Sequence, residues 1–407
     1  MIQIVDKKKC TGCSACVSIC GKHCITMQPD SEGFLYPVVD TNCCVECGLC
    51  EKICPVLNPF DRKKEEPLCF GSRSKDTDVV AKSSSGGLFS VLAESVLQEG
   101  GIVVGAAFRK DWSVHHIIVD DEEGLERLRG SKYVQSDLDG VFMQIREELK
   151  NGRKVLFVGT PCQVAGLNHF IKNGKDALLT IDLICHSVPS PKIWKDYLNE
   201  ITKNQGGVSN ISSITFRDKS LGWRKYSLLI KSKTDDGKII IIDHGDTVSN
   251  IYLKGFSQGL YNRPSCSDCP ARNFKSQSDI TLGDCWAVEK YYPEYKNDEE
   301  GLSVILLNTK KGLDAFKRVE SQTNSFEMKY EEVEPNDMHA SLTRSLPFHV
   351  NRGRFFDMSQ GIPIHKRIQR CLWFVEKKNN VINAAKNSIR KIIGNQVYGF
   401  LKQLYHG

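Results

Sequence analysis

The chain has 407 residues, 40% hydrophobic and 26% charged, with a net charge of +6, a balance that suits a soluble globular protein of about two to three domains with sizeable cores. No run reaches the ~18 uncharged apolar residues of a membrane span, and the N-terminus, apolar first and lysine-rich after, reverses the order of a secretory signal, so a cytoplasmic location is expected. Seventeen cysteines, an odd number, fit a disulfide framework poorly in a reducing compartment and point to metal or redox chemistry.

Cys10, Cys13, Cys16 and Cys20 follow C-x2-C-x2-C-x3-C, and Cys44, Cys47, Cys50 and Cys54 repeat that spacing with Pro55 next. This is the two-cluster run of bacterial ferredoxins. Three cysteines at intervals of three wrap one cube of iron and sulfide, while the fourth faces away and ligates the other cube. The expected ligand sets are Cys10, Cys13, Cys16, Cys54 and Cys44, Cys47, Cys50, Cys20, one for each of two 4Fe-4S clusters. Gly12 and Gly48 relax the backbone where it curls around the inorganic core. Zinc is commonly held by two separated C-x2-C pairs, and four cysteines within eleven residues, twice, fit that poorly. Gly21 stands where the run usually has proline. Cys24, Cys43 and Cys69 keep no ligand spacing and read as small buried residues. Residues 1–60 are therefore expected to form a small two-cluster ferredoxin-like domain.

A charged, proline-containing linker at 62–67 precedes a mixed α/β region expected over 68–345. The apolar periodicity predicts helices over 87–97, 137–150 and 165–171, and strands over 102–108, 154–158 and 177–184. Such alternation argues for a sheet with helices packed on it. Strand-like runs at 211–218, 224–231 and 238–243 have no helices between them and are expected to pair antiparallel. Cys162 follows one predicted strand and Cys185 ends another, while Cys266 and Cys269 form a C-x2-C pair in a proline-rich loop. Strand ends on one side of a sheet converge, so the first two cysteines can meet the pair. His186, beside Cys185, is the candidate catalytic acid, with a hydrogen bond to cluster sulfur as the alternative role. Trp223 lies in a polar loop, either lining a substrate pocket or capping the fold.

Several stretches of this region resemble the beta subunit of coenzyme F-420 (deazaflavin) hydrogenases and dehydrogenases. They are Ser84-Ser85-Gly86-Gly87, Gly130-Ser131-Lys132-Tyr133, Gly159-Thr160-Pro161-Cys162-Gln163, Cys185, Cys266-x2-Cys269, and Ser278 to Asp284. The resemblance runs in order over residues ~70 to ~330. It implies a third 4Fe-4S cluster on Cys162, Cys185, Cys266 and Cys269. It also implies FAD, contacted by Ser84, Ser85, Gly86, Gly87, Gly130, Ser131, Lys132, Tyr133, Thr160 and Gln163. A helix opening at Gly86-Gly87 offers free N–H groups to a pyrophosphate, and Lys132 adds a positive charge. No GxGxxG follows a strand, so the flavin site is not a Rossmann site. Cys285 stands where relatives often have phenylalanine and reads as a packing substitution.

Residues 350–407 hold eleven Lys/Arg and two Asp/Glu, a basic tail of +9 on a body of −3. Ile364 to Val375 and Val381 to Leu404 have apolar residues at helical spacing, which suits docking on the acidic body or on a partner, with peripheral contact to an anionic membrane as the alternative. Nucleic acid is not an expected partner, since no binding motif accompanies the charge. The fold class is thus α/β (α+β), with a ferredoxin-like domain, a mixed-sheet flavin domain and a helical basic tail. The implied activity is that of an iron-sulfur flavoprotein oxidoreductase. It would pass electrons between a one-electron carrier such as ferredoxin and a two-electron acceptor, for which the deazaflavin coenzyme F-420 is the resemblance's candidate. The alternative is an electron-transfer subunit serving a partner enzyme.

Overall fold

The computed structural model describes residues 1–62, 65–296, 298–333, 337–358 and 361–373. The N-terminal cysteines sit before, on and just after two short helices, Ala15–Ile19 and Leu49–Lys52. Both helices open behind left-handed residues, Ser14 (φ 59°) and Gly48 (φ 71°), and a further one, Gly12 (φ 72°), turns the first loop. Between them runs an antiparallel hairpin, β1 (Ile25–Pro29) with β2 (Leu35–Val39), in which Ile25 faces Val39. Its turn is closed by the Asp30 carboxylate, which accepts from the backbone N–H groups of Glu32 and Phe34, both at 3.0 Å.

The remaining strands are β3 (Leu68–Ser74), β4 (Ile102–Phe108), β5 (Val114–Val119), β6 (Val155–Gly159), β7 (Leu178–Leu183), β8 (Ile211–Asp218), β9 (Ser227–Lys233), β10 (Ile239–Asp246), β11 (Ile280–Asp284), β12 (Ser303–Leu307) and β13 (Thr323–Met328). Eight of them form one mixed sheet in the order β13-β3-β12-β11-β7-β6-β4-β5. The four central strands, β11, β7, β6 and β4, are parallel, and the flanking ones pair antiparallel. Central runs such as Val155-Leu156-Phe157 are buried on both faces, as parallel strands covered by helices must be.

Alternate residues divide the core between the two faces. Val103 and Leu156 meet helices Leu88–Gln98 and Lys310–Val319, through Leu88, Leu92, Phe316 and Val319. Ile102, Val104, Val155 and Phe157 meet helices Val141–Lys150 and Pro161–Phe170 on the opposite face. That second apolar cluster continues without a break into Cys13, Ala15, Cys16, Cys50 and Ile53. The ferredoxin-like segment is therefore seated on the sheet's helical layer. Strands β8, β9 and β10 form a separate antiparallel sheet, which packs over Trp194, Phe216, Tyr252 and Tyr261.

The structure agrees with the expected α/β class, and strands 102–108 and 211–218 coincide with β4 and β8. Helix Pro161–Phe170 begins earlier than the predicted 165: Thr160 caps it, Pro161 is its first residue, and the Gln163 side chain accepts from the Thr160 N–H at 2.9 Å. The helix predicted from 137 starts at Val141, behind Gly140 at φ 75°. The apolar periodicity does not predict strands β1, β2, β3, β5, β11, β12 and β13: β5 carries two histidines, and β13 is a polar edge strand. Of the tail, helical residues 364–373 place Ile364, Ile368, Cys371 and Leu372 in the third core, beside Phe355. This agrees with docking on the body. Residues 374–407, including the second amphipathic stretch, lie outside the described residues.

At the junction, a Cβ added to Gly166 would lie 2.8 Å from the Cys13 Cβ and 2.9 Å from its Sγ. Gly166→Val should cost about 1–3 kcal/mol by overpacking, read as a lowered Tm together with a loss of iron from the N-terminal segment.

Candidate redox site

The sequence-predicted cysteines gather in three groups. Burial pushes the Cys16 thiol up to about 12, and its crowding by Cys10 and Cys54 adds to the shift. Burial likewise holds Cys13 well above the ordinary thiol value, against an N–H donated by Ala15, while Cys16, Cys54 and Cys10 add their repulsion. Thiols that disfavour one another's ionisation must be close together, so Cys10, Cys13, Cys16 and Cys54 lie near one another, with Cys50 close to Cys16 and Cys54.

Cys20, Cys44, Cys47 and Cys50 ring a cavity of about 260 Å³ at the outer end of the segment. Cys47 is exposed there. Cys24 belongs to this ring as well, with its Sγ 3.4 Å from the Cys20 Sγ. Cys43 is exposed rather than buried, a correction to the reading of it as a core residue. Cys69 is buried in the core as expected.

The third group is drawn from distant parts of the chain. Cys162 opens helix Pro161–Phe170, Cys185 follows β7, and Cys266 and Cys269 flank the end of the tight turn Pro264–Asp268. Burial pushes Cys162 up to about 12 and Cys266 to about 11, and Cys269 raises both. Burial also raises Cys185, which feels Cys266, Cys162 and Cys269. Four half-buried thiols are thus brought together, a donor set suited to an iron-sulfur core or another thiophilic centre.

Beside this group lies a cavity of about 420 Å³, with Cys162 and Cys185 in its wall. It sits where β6, β7 and β11 end, on the carboxyl side of the parallel strands, the usual ligand crevice of such sheets. Ser84, Ser85, Gly87, Gly130, Ser131, Lys132, Tyr133, Thr160, Gln163 and His186 all line it. Two of the loops are stitched together, since the Ser131 N–H donates to the Ser84 Oγ at 2.9 Å.

One predicted contact needs correction, and Lys132, though in the wall, has other partners. Gly86 is not in the wall: its N–H donates to the Ser303 Oγ at 2.9 Å, and a Cβ there would lie 2.5 Å from the Ser72 carbonyl oxygen. It is a close-packing glycine between strands, and its N–H is not free for a pyrophosphate. Lys132 donates to the carbonyls of Arg127, Leu128 and Arg129 at 2.9–3.1 Å. It closes the C-terminus of helix Glu122–Leu128, so its ammonium serves the fold first. His186 faces the Ser257 carbonyl at 3.2 Å through Nε2, and burial lowers its pKa.

Sequence reasoning missed much of the far wall. Arg217 makes a two-pronged bond to Asp284, both prongs 2.8 Å, and donates to the Ser84 carbonyl at 3.1 Å. Its guanidinium stacks 3.9 Å over the Tyr226 ring. Trp223 is fully buried behind this pair, donating to Asp284 at 3.0 Å and stacking on Trp286 at 4.7 Å. It supports the wall rather than lining it. Cys285 is buried 3.7 Å from the Met328 sulfur, as a packing residue should be.

Comparison with known proteins fits this geometry. Residues 69–142 match the N-terminal profile, and residues 152–332 the C-terminal profile, of the coenzyme F420 hydrogenase/dehydrogenase beta subunit. Residues 9–58 match a 4Fe-4S dicluster domain. The chain belongs to the family of coenzyme F420 hydrogenase/dehydrogenase beta subunits. Among its relatives, a subunit of the F(420)H(2) dehydrogenase of Methanosarcina mazei is 23% identical, over 74% of this chain and 82% of the relative. The coenzyme F420-dependent sulfite reductase of Methanocaldococcus jannaschii is 23% identical, over 78% of this chain and 47% of that protein. A solved chain of the F420-reducing NiFe hydrogenase complex from Methanosarcina barkeri aligns over 77% of this chain and 92% of its own, with a TM-score of 0.44 and 18% identity. This family member carries a 4Fe-4S domain at its N-terminal end and is an electron-transfer oxidoreductase. Among the described residues, no helix is long and apolar enough to cross a membrane.

A network on the cavity floor offers a pH test. Gln163 donates to the Ser136 Oγ at 2.9 Å, and that oxygen lies 2.9 Å from the His116 Nδ1, whose Nε2 faces the Val158 carbonyl at 3.1 Å. Burial lowers the His116 pKa to about 4. Between pH 4 and its unfolded value near 6.5 the unfolded chain binds the extra proton, so stability rises with pH across that window. Acidification from pH 7 to 4 should remove about 2–3 kcal/mol through this residue. Unfolding free energies of His116→Gln should show a flatter slope over that range.

Proposed function

We propose that this chain conducts electrons inward from its N-terminal clusters to a flavin held in the 420 Å³ cavity. The observation that carries this reading is the shared wall: Cys162 and Cys185 belong both to the third thiol group and to the cavity lining. Cys44, Cys47, Cys50 and Cys20 would hold the outer 4Fe-4S cluster and Cys10, Cys13, Cys16 and Cys54 the inner one. Cys162, Cys185, Cys266 and Cys269 would hold a third. Cys13 packs on Gly166, one turn along the helix that Cys162 opens, so inner and third groups are neighbours. Bound clusters supply one-electron steps and a bound FAD couples them to two-electron hydride chemistry.

In this arrangement residues 1–60 form the inlet, 68–345 the flavin domain, and the start of the 350–407 segment braces the body. Ser84, Ser131, Thr160 and Gln163 offer hydroxyl and amide groups to a flavin and its phosphates. The Arg217–Asp284 pair closes the opposite wall and keeps Tyr226 in place. His186 reaches the cavity from beside Cys185 and is the candidate proton donor. Exposure of Cys47 suits docking of ferredoxin or another small one-electron carrier at the outer ring. A deazaflavin acceptor fits the activities for which the relatives are named. The Methanosarcina mazei relative, itself one part of a larger enzyme, also supports a second reading, in which this chain feeds a partner redox protein. Co-purification of a stoichiometric catalytic subunit would favour it.

Anaerobic purification should yield about twelve irons per chain, four for each of three clusters, with one flavin. Cys185→Ser should lose about four irons, keep the remaining eight, and stop reduction of bound flavin by reduced ferredoxin. Full iron in that variant, or a flavin still reduced at the native rate, would refute the proposed path.

A further inference from the structure

We propose that Arg263 is a positioning residue that raises the reduction potentials of the inner N-terminal cluster and of the third cluster together. This rests on the assignment of those clusters to the Cys10 and Cys162 groups. Arg263 is fully buried, yet it belongs to both sides of the junction. Its main chain is part of the third group's loop: the Arg263 N–H donates to the Val188 carbonyl, and its carbonyl accepts from the Cys266 N–H, each at 2.9 Å. Its side chain points the other way, into the turn that carries Cys10. Nε donates to the Cys10 carbonyl at 3.0 Å, one terminal nitrogen reaches the Leu35 carbonyl at 2.9 Å and lies 3.7 Å from the Cys10 Sγ, and the other donates to the Gln135 Oε1 at 2.9 Å.

The fit is close. A Cβ at Gly12 would lie 2.8 Å from the guanidinium, so that turn is shaped around it. The Gln135 amide also donates to the Thr11 carbonyl at 3.1 Å, and the Tyr36 ring lies 4.5 Å from the guanidinium carbon. Every hydrogen bond made by this cation goes to a neutral carbonyl or amide oxygen or to sulfur. Among the described residues it has no carboxylate partner. A buried cation with no carboxylate is costly unless something else balances it. The Cys10 sulfur, 3.7 Å away, would supply negative charge as a cluster ligand.

Reduction adds one electron to a cluster and removes nothing, so its charge becomes more negative by one. A fixed cation in a low-dielectric site favours that reduced state. Arg263 is shared by the two groups, with its main chain in the Cys266 turn and its charge beside Cys10, so it favours reduction of both. It thereby holds their potentials near each other and apart from the outer cluster's. A bland clamp would need the hydrogen bonds of Arg263 and not its charge.

The test is a potentiometric titration of anaerobically purified full-length protein, followed by electron paramagnetic resonance. At the native midpoints, Arg263→Gln should lower the reduced-to-oxidised ratio of the inner and third clusters about tenfold, which for a one-electron couple is ~59 mV. The outer cluster should change less than threefold, and Arg263→Lys should stay near the native values. Unmoved midpoints in an iron-complete Arg263→Gln protein overturn the proposal, as do equal shifts in the Gln and Lys variants. Should Arg263→Gln fail to retain iron, Gln135→Glu keeps the arginine and sets a carboxylate against it. The same downward shift supports the proposal there, and an unchanged midpoint overturns it. Wild-type protein with only two clusters would instead remove the third-cluster assignment, and the proposal with it.

Discussion

One hydrogen atom is all that position 166 can carry. The helix that Cys162 opens lies so close to the Cys13 turn that any side chain there would strike the cysteine's own Cβ and sulfur. The relation between the two halves of the molecule follows from that approach. It lets Ala15, Cys16 and Ile53 join the same apolar cluster as Phe142, Leu167 and Phe170, so the N-terminal segment shares a core with the sheet instead of hanging from a linker. It also fixes which of the two N-terminal cysteine groups faces inward. The Cys10 group is pressed against the sheet's helical layer, and the Cys47 end is left to solvent.

Burial then does two opposite jobs. It gathers thiols that resist ionisation, since each lies in a low-dielectric site beside others like it. It also strips water from the Arg217–Asp284 pair, whose two-pronged geometry and stacking on Tyr226 hold one wall of the cavity rigid. The thiol groups stay protonated on their own, and a cationic core is what would draw them into the thiolate form. The ion pair is self-sufficient and serves as scaffold.

What is legible in the sequence is local. Cysteines three residues apart identify their own chemistry, and an apolar run such as Ile102–Phe108 identifies its own strand. The Thr160-Pro161 start of the helix is also written locally, but the apolar periodicity begins later and hides it. The remaining features are contacts between distant residues. Arg217 and Asp284 stand 67 positions apart, and nothing near either announces the other. Lys132 reads as a free charge because its three carbonyl partners are backbone groups, which no side-chain pattern reveals. Gly86 reads as a phosphate-binding glycine because close packing and ligand approach demand the same residue. His116, in a His-His pair within a strand, carries no distinguishing pattern at all.

The spacing of the third group along the chain has a temporal side. The N-terminal cysteines are all present once Cys54 has been made, whereas Cys162 must wait for Cys269, with the whole of β8, β9 and β10 synthesised in between. Any centre built on those four sulfurs therefore comes only after residue 269 of 407 has been made, long after the N-terminal cysteines are available. Such a centre would form in a second stage, and a protein caught before it would have its inlet finished and its interior contact still missing.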